Sequence, residues 1–136
     1  MLTALLVAVA LQASGADAAV FSSHVRGERL DFAVPRSVLQ QTPAWSDADL
    51  SPPLPPRRAI QIAARQLREL MPDPERWRLS RISMRPIAGG ERWLYIVEYD
   101  EPPPGPTGGI TSSLGLVVLM DGSTVNPKRS LWPVKG

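Results

Sequence analysis

Arg57-Arg58-Ala59-Ile60-Gln61-Ile62-Ala63-Ala64-Arg65-Gln66-Leu67-Arg68-Glu69-Leu70 decides the fold, because it sets apolar residues at helical spacing just ahead of a chain that otherwise alternates. Ile60, Ala63, Ala64, Leu67, Leu70 and Met71 fall on one stripe, and Arg58, Gln61, Arg65, Arg68 and Glu69 fall opposite. Pro56 suits a first helical turn, where its missing N–H has no partner to lose, and Pro72 and Pro74 stop the helix. Ile62 departs from the stripe and projects near the polar face. Either the proline-rich arm upstream folds back over it, with Trp45 as the covering residue, or Ile62 belongs to a contact with another protein.

Downstream the period changes from helical to alternating. Trp77 and Leu79 share one parity and Ile82 and Met84 the other, so a bulge near Ser80-Arg81 is expected. Gly89-Gly90 offers a turn, and Arg92 to Tyr99 then places Trp93, Tyr95, Val97 and Tyr99 on one face, Leu94 and Ile96 on the other. Apolar side chains on both faces predict a central strand. Asp100 to Gly109 carries four prolines and three glycines and reads as a long loop. Ile110 to Met120 resumes strand character, Asp121-Gly122 makes a tight turn, and Ser123 to Asn126 returns as a short strand.

Upstream of the helix, Leu30, Phe32 and Val34 alternate with Arg29, Asp31 and Ala33 until Pro35, a short strand expected at a sheet edge. Residues 40–56 hold five prolines and read as an extended arm. Pro52 to Arg57 matches the proline-rich pattern read by SH3-type grooves, an accidental match if the chain is exported. The expected fold is therefore α+β: one amphipathic helix packed on an antiparallel meander sheet of three to four strands, with a short N-terminal strand and a Pro-rich arm.

Leu2, Leu5, Leu6, Val7, Val9 and Leu11, followed by Ala16-Asp17-Ala18, have the form of an export signal cut before Ala19, although no Lys or Arg precedes the apolar run. The run is too short for a membrane span, which takes about 20 residues, and it lacks the polar positions of an ordinary core helix. The expected organisation is a signal over 1–18, strand and arm over 19–56, a helix-plus-sheet core over 57–127 and a tail over 128–136, with no stable membrane span once the signal is removed. What remains has room for one domain.

The chain has no cysteine, which excludes disulfides, thiolate metal sites, a Cys nucleophile and lipid attachment at Cys. Its formal charge is +2, but arginines 57, 58, 65, 68, 76, 78, 81, 85 and 92 face only Glu69, Asp73, Glu75 and Glu91 across the same stretch. Such a stretch is either a solvated face or a surface for an envelope protein or an anionic envelope component. No aromatic-and-glycine RNA signature accompanies it, so nucleic acid is not expected.

Catalytic sets are thin. His24 is the only histidine, without a positioned nucleophile or carboxylate nearby in sequence, and reads as mobile and solvated. Glu98, Asp100 and Glu101 form the nearest approach to a carboxylate cluster, read as a solvated strand end rather than a calcium contact or half of an acid/base pair. Ser112-Ser113 lacks the G-x-S-x-G context. No cofactor or metal is expected. Trp77 and Trp93 read as core. The candidate binding surface is Trp45, Ile62 and Trp132, with Arg58, Arg65 and Arg68 as the electrostatic contributors.

Ala59-Ile60-Gln61-Ile62-Ala63-Ala64, Trp77-Arg78-Leu79, the alternating Trp93 to Tyr99 and the closing Val117 to Gly122 together resemble the small exported bacterial PepSY-like domains, within the wider cystatin-like helix-and-sheet architecture. The resemblance implies a noncatalytic binding module of the cell envelope, in some members associated with restraining peptidases. A cystatin-like peptidase inhibitor is the alternative, with Pro102 to Pro106 or the Trp132 segment entering a protease cleft. The Q-x-V-x-G hairpin of that family is absent, and Leu131-Trp132-Pro133 reverses the order of its Pro-Trp loop. A weak hydrolase built on Glu98, Asp100 and His24 is the second alternative.

Overall fold

The computed structural model describes residues 16–46, 48–87, 89–102 and 112–131. Its elements in chain order are β1 (Asp17–Val25), β2 (Glu28–Pro35), α1 (Arg36–Gln40), α2 (Pro56–Leu70), a 3₁₀ turn (Pro74–Arg76), β3 (Arg78–Ile87), β4 (Arg92–Asp100), β5 (Ser113–Leu119) and β6 (Lys128–Leu131). The strands form one antiparallel sheet in the order β3-β4-β5-β1-β2-β6. The class is α+β, with six strands where three to four were expected.

Helix α2 follows the expected bounds. Pro56 occupies its first turn, and the chain leaves at Met71 with extended backbone ahead of Pro72. Its buried line is Ala59, Ala63, Gln66 and Leu67, with Ile60, Ala64 and Leu70 half-buried. The small side chains at 59 and 63 let the helix approach β4 and β5 closely. The β3–β4 register slips between Leu79 and Arg81, the bulge that the change of parity at Ser80-Arg81 requires. Beyond it, β4 lies inside the sheet between β3 and β5, and Leu94, Tyr95, Ile96, Val97 and Tyr99 are all buried.

Three elements correct the sequence-based picture. The Leu30-Phe32-Val34 strand is not at an edge, for β1 and β6 pair on either side of it. β1 interleaves Ser22, Ser23 and His24 with its few apolar residues, so its alternation is faint, and the expected cut before Ala19 falls two residues inside it. Lys128–Leu131, expected as tail, pairs with Glu28–Asp31, because β2 would otherwise expose an unpaired edge. The boundaries expected at 56/57 and 127/128 consequently fall within one packed unit. Val25, Leu30, Phe32 and Val34 share a core with Ala59, Ala63 and Leu67 of α2 and with Leu114 to Leu119 of β5.

Beyond Asp121-Gly122, where Gly122 has φ +87, the returning chain makes a single bridge, Thr124 to Val118, instead of a strand. The proline-rich arm is held at both ends. The Trp45 N–H donates to the Glu91 carbonyl at 3.0 Å, and the Tyr95 hydroxyl donates to the Leu54 carbonyl at 2.5 Å. Among the described residues no helix is long and apolar enough to cross a membrane.

Candidate functional site

Arg58, Ile62, Arg65 and Glu69 recur at i, i+4, i+7 and i+11, so they line one stripe of α2 beside its buried face. That stripe forms one wall of a groove of about 340 Å³, and Asp121 to Thr124 form the other. Leu54 and Gln66 also line it. The Gln66 amide donates to the Val125 carbonyl at 2.8 Å and fixes the helix to the chain beyond the turn. Gln66 is 3% exposed, and its Oε1 has no hydrogen-bond partner among the described residues.

Ile62 is half-buried on the groove wall, its Cδ1 3.5 Å from where a Cβ on Gly122 would stand. The arm does reach this groove, but through Leu54. Trp45 instead meets Trp93 edge-on, so the expectation that Trp45 covers Ile62 is corrected. Trp93 is nearer in space because the Trp45 backbone is tied to Glu91 in the β3–β4 turn.

Of the six candidate surface residues, the structure brings Arg58, Ile62 and Arg65 together. Arg68 lies on the flank of α2 toward Tyr99; burial raises the Tyr99 phenol pKa, and the Arg68 charge opposes that rise. Trp45 stands apart on Trp93, and Trp132 lies outside the described residues, as does the loop from Pro103 to Thr111. Arg57, Arg58, Arg65 and Arg68 are exposed, and none forms an ion pair among the described residues. Such a face leaves its charge available to a partner.

A second concavity, about 420 Å³, opens where β1 leaves β5. These strands share one register pair, His24 with Ser113. Next to it the Ser23 hydroxyl accepts from the Gly115 N–H at 2.9 Å, standing in for a ladder bond. A Cβ on Gly115 would lie 3.3 Å from Ile96 Cγ2, tighter than an ordinary contact, and 3.7 Å from Ser23 Oγ, so it is the Ile96 side chain that crowds this position. A glycine inside a strand costs about 0.5–1 kcal/mol relative to alanine, so it marks close backbone approach. His24, Glu98 and Arg85 border the same cleft.

His24 is therefore exposed but held in a strand, which corrects the reading of a mobile residue near a chain end. The carboxylates expected as one solvated strand end part company. Glu98 pairs with Arg81 at 3.1 Å, Asp100 accepts from the Ser113 hydroxyl at 2.7 Å, and Glu101 is 8% exposed.

Glu101 is clamped by Arg26, whose guanidinium gives Nε to Oε1 at 3.0 Å and Nη2 to Oε2. The same Nη2 reaches Asp73 Oδ2 at 2.6 Å, and Arg76 stands 3.6 Å from Glu101. The guanidinium carbon lies 5.9 Å from the ring centroid of Trp77, which is core as expected at 6% exposure. Hydrogen bonding from Arg26 holds both carboxyls below their ordinary values and raises the Arg26 pKa in turn. Arg26 and Gly27, with φ of 49 and 81, form a two-residue hairpin loop whose first position is left-handed despite its side chain. The Arg26 side chain at this position reaches both Asp73 and Glu101. Next to it the Glu101 N–H donates to the Ser112 carbonyl at 2.9 Å.

Among the described residues no group of three His, Asp or Glu is placed to hold a metal ion. No family model matches the chain, and no curated protein or solved structure matches it significantly.

Proposed function

We propose that this chain is an exported, noncatalytic binding module of the bacterial cell envelope, of PepSY-like type, and that its α2 groove takes a protein segment presenting carboxylates. The single observation that carries this reading is the groove itself. Two exposed arginines without ion-pair partners among the described residues, Arg58 and Arg65, flank half-buried Ile62 along one helix stripe. An apolar centre with charges at its margin supports recognition of a segment with an apolar side chain between acidic ones. Glu69 and Asp121, which line the same groove, favour a partner whose own charges alternate.

The test is a photo-crosslinking side chain at position 62 in the native cells, followed by mass spectrometry. An adduct to an acidic segment of one envelope protein, lost when Arg58 and Arg65 are both changed to Glu, supports the reading. Adducts that persist unchanged in the double variant, or reproducible turnover of a peptide, glycan or phosphoester by the purified chain, would overturn it.

A weak hydrolase is the second reading. It is favoured by one observation: His24 and Glu98 border a common cleft, and Ser113, the cross-strand neighbour of His24, donates to Asp100. The Ser113 hydrogen bond runs to a carboxylate, whereas an activated nucleophile needs its proton on a base such as imidazole. Ester turnover abolished by His24→Ala would move this reading ahead of the first.

A further inference from the structure

We infer that the cleft between β1 and β5 is a binding site for a small monocarboxylate with a short apolar body, a site distinct from the α2 groove. Its dimensions, about 420 Å³, lie within the range of small-molecule pockets. Four features select the ligand. Arg85 is an exposed guanidinium bordering the cleft and forms no ion pair among the described residues, whereas Arg81 on the same strand is tied to Glu98 at 3.1 Å. Arg85 is thus the cation left for an anion, and its planar donor pair matches a carboxylate.

The second feature is Ser23, 9% exposed, which uses an oxygen lone pair to accept the Gly115 N–H and retains its own hydroxyl proton as a donor. Third, Phe21 and Ile96 supply apolar walls, and the bare backbone of Gly115 leaves the floor without a side chain. Fourth, Glu98 at the cleft boundary is already paired with Arg81 at 3.1 Å, so among the described residues the lining offers no second unpaired guanidinium for a second carboxylate and the site takes a monoanion. Arg85 stands across from Leu94 and Glu98 across from Arg81, so Arg85 and the Arg81–Glu98 pair are four strand steps apart, about 13 Å of backbone. The apolar body has room between them.

The experiment is an amide-resolved NMR titration of the full chain at constant ionic strength. The probes are sodium butyrate and sodium benzoate, with benzamide and benzylamine as the neutral and cationic counterparts. Saturable shifts at the Ser23 and Gly115 amides with the two carboxylates, absent with benzamide, are expected. Arg85→Gln should weaken them about tenfold while its spectrum stays that of a folded chain, the loss of one charge-assisted contact. Arg36→Gln, which does not line the cleft, should leave them unchanged. Equal response to benzamide, preference for benzylamine, shifts that never saturate, or full binding by Arg85→Gln would each overturn the site.

Discussion

Tyr95 and Leu54 are 41 residues apart in sequence, yet the phenol of one donates to the carbonyl of the other at 2.5 Å across the core. Tyr95 is 1% exposed, and burial raises its pKa above the ordinary 10.0. The bond fixes the proline-rich arm at the residue that also lines the α2 groove. Tyr95→Phe removes the donor and leaves a part-buried carbonyl unsatisfied, for which a loss of about 1–2 kcal/mol is expected. Urea unfolding would show it as a lower midpoint at unchanged slope. Hydrogen exchange should also quicken at the Ser51 and Leu54 amides, Pro52 and Pro53 having none, before it quickens in β4.

Trp45 and Trp93 meet with ring centroids 4.9 Å apart and planes at 69°. Edge-to-face aromatic pairs contribute about 0.5–1.5 kcal/mol beyond their burial, so Trp45→Ala should destabilise by about 2 kcal/mol or more. The same variant should leave crosslinking at position 62 intact, because Trp45 does not line that groove. Loss of crosslinking with stability preserved would contradict the placement of Trp45.

Acid should loosen the clamp at Arg26. Asp73 and Glu101 have their pKa values depressed by hydrogen bonds from that guanidinium, so their contribution is fully present above the ordinary values of 3.8 and 4.5 and is lost as pH falls through the depressed ones. Stability should therefore fall with decreasing pH below about 4.5. Arg26→Gln should be less stable at neutral pH and should flatten that acid limb. Thermal melts of both proteins between neutral and acid pH measure it, and parallel curves would contradict the clamp.

At position 115, alanine would bring its methyl to 3.3 Å from Ile96 Cγ2, which must give by a few tenths of an ångström, while Ser23 Oγ at 3.7 Å stays in ordinary contact. Overpacking of this kind costs about 1–3 kcal/mol, and valine should cost more than alanine. Arg85→Gln at the exposed rim should change stability by less than about 0.5 kcal/mol. Chemical denaturation of the three variants separates the floor of the cleft from its rim.

Much of the β3-β4-β5 half of the sheet was readable from local pattern. The bulge follows from the parity change between Leu79 and Ile82, the helix from the spacing of Ile60, Ala63, Ala64 and Leu67, and the turn from Asp121-Gly122. β1 and β6 were not, because Ser22-Ser23-His24 and Lys128-Arg129-Ser130 carry little apolar alternation, and their places come from partners distant in sequence. α1 follows immediately on Pro35, with only Leu39 buried to anchor it. At the candidate site, the Arg58, Ile62 and Arg65 stripe could be read along one helix, but its opposite wall could not. The β1–β5 cleft had a single local signal, Gly115 within an apolar strand, and neither Ser23 nor Arg85 could be joined to it without the pairing of His24 and Ser113.

The strand order has a kinetic consequence. β1 lies between β2 and β5, so the first strand among the described residues has its second neighbour at residues 113–119. A polypeptide delivered N-terminus first can close the β1–β2 hairpin early, but the far edge of β1 stays open until residues 113–119 have arrived. Closing so long a loop is slow compared with forming local turns. Until that seam zips, the hairpin is an exposed template for strand addition. A helper holding residues 17–35 during that interval would act on the rate of assembly and leave the finished fold unchanged.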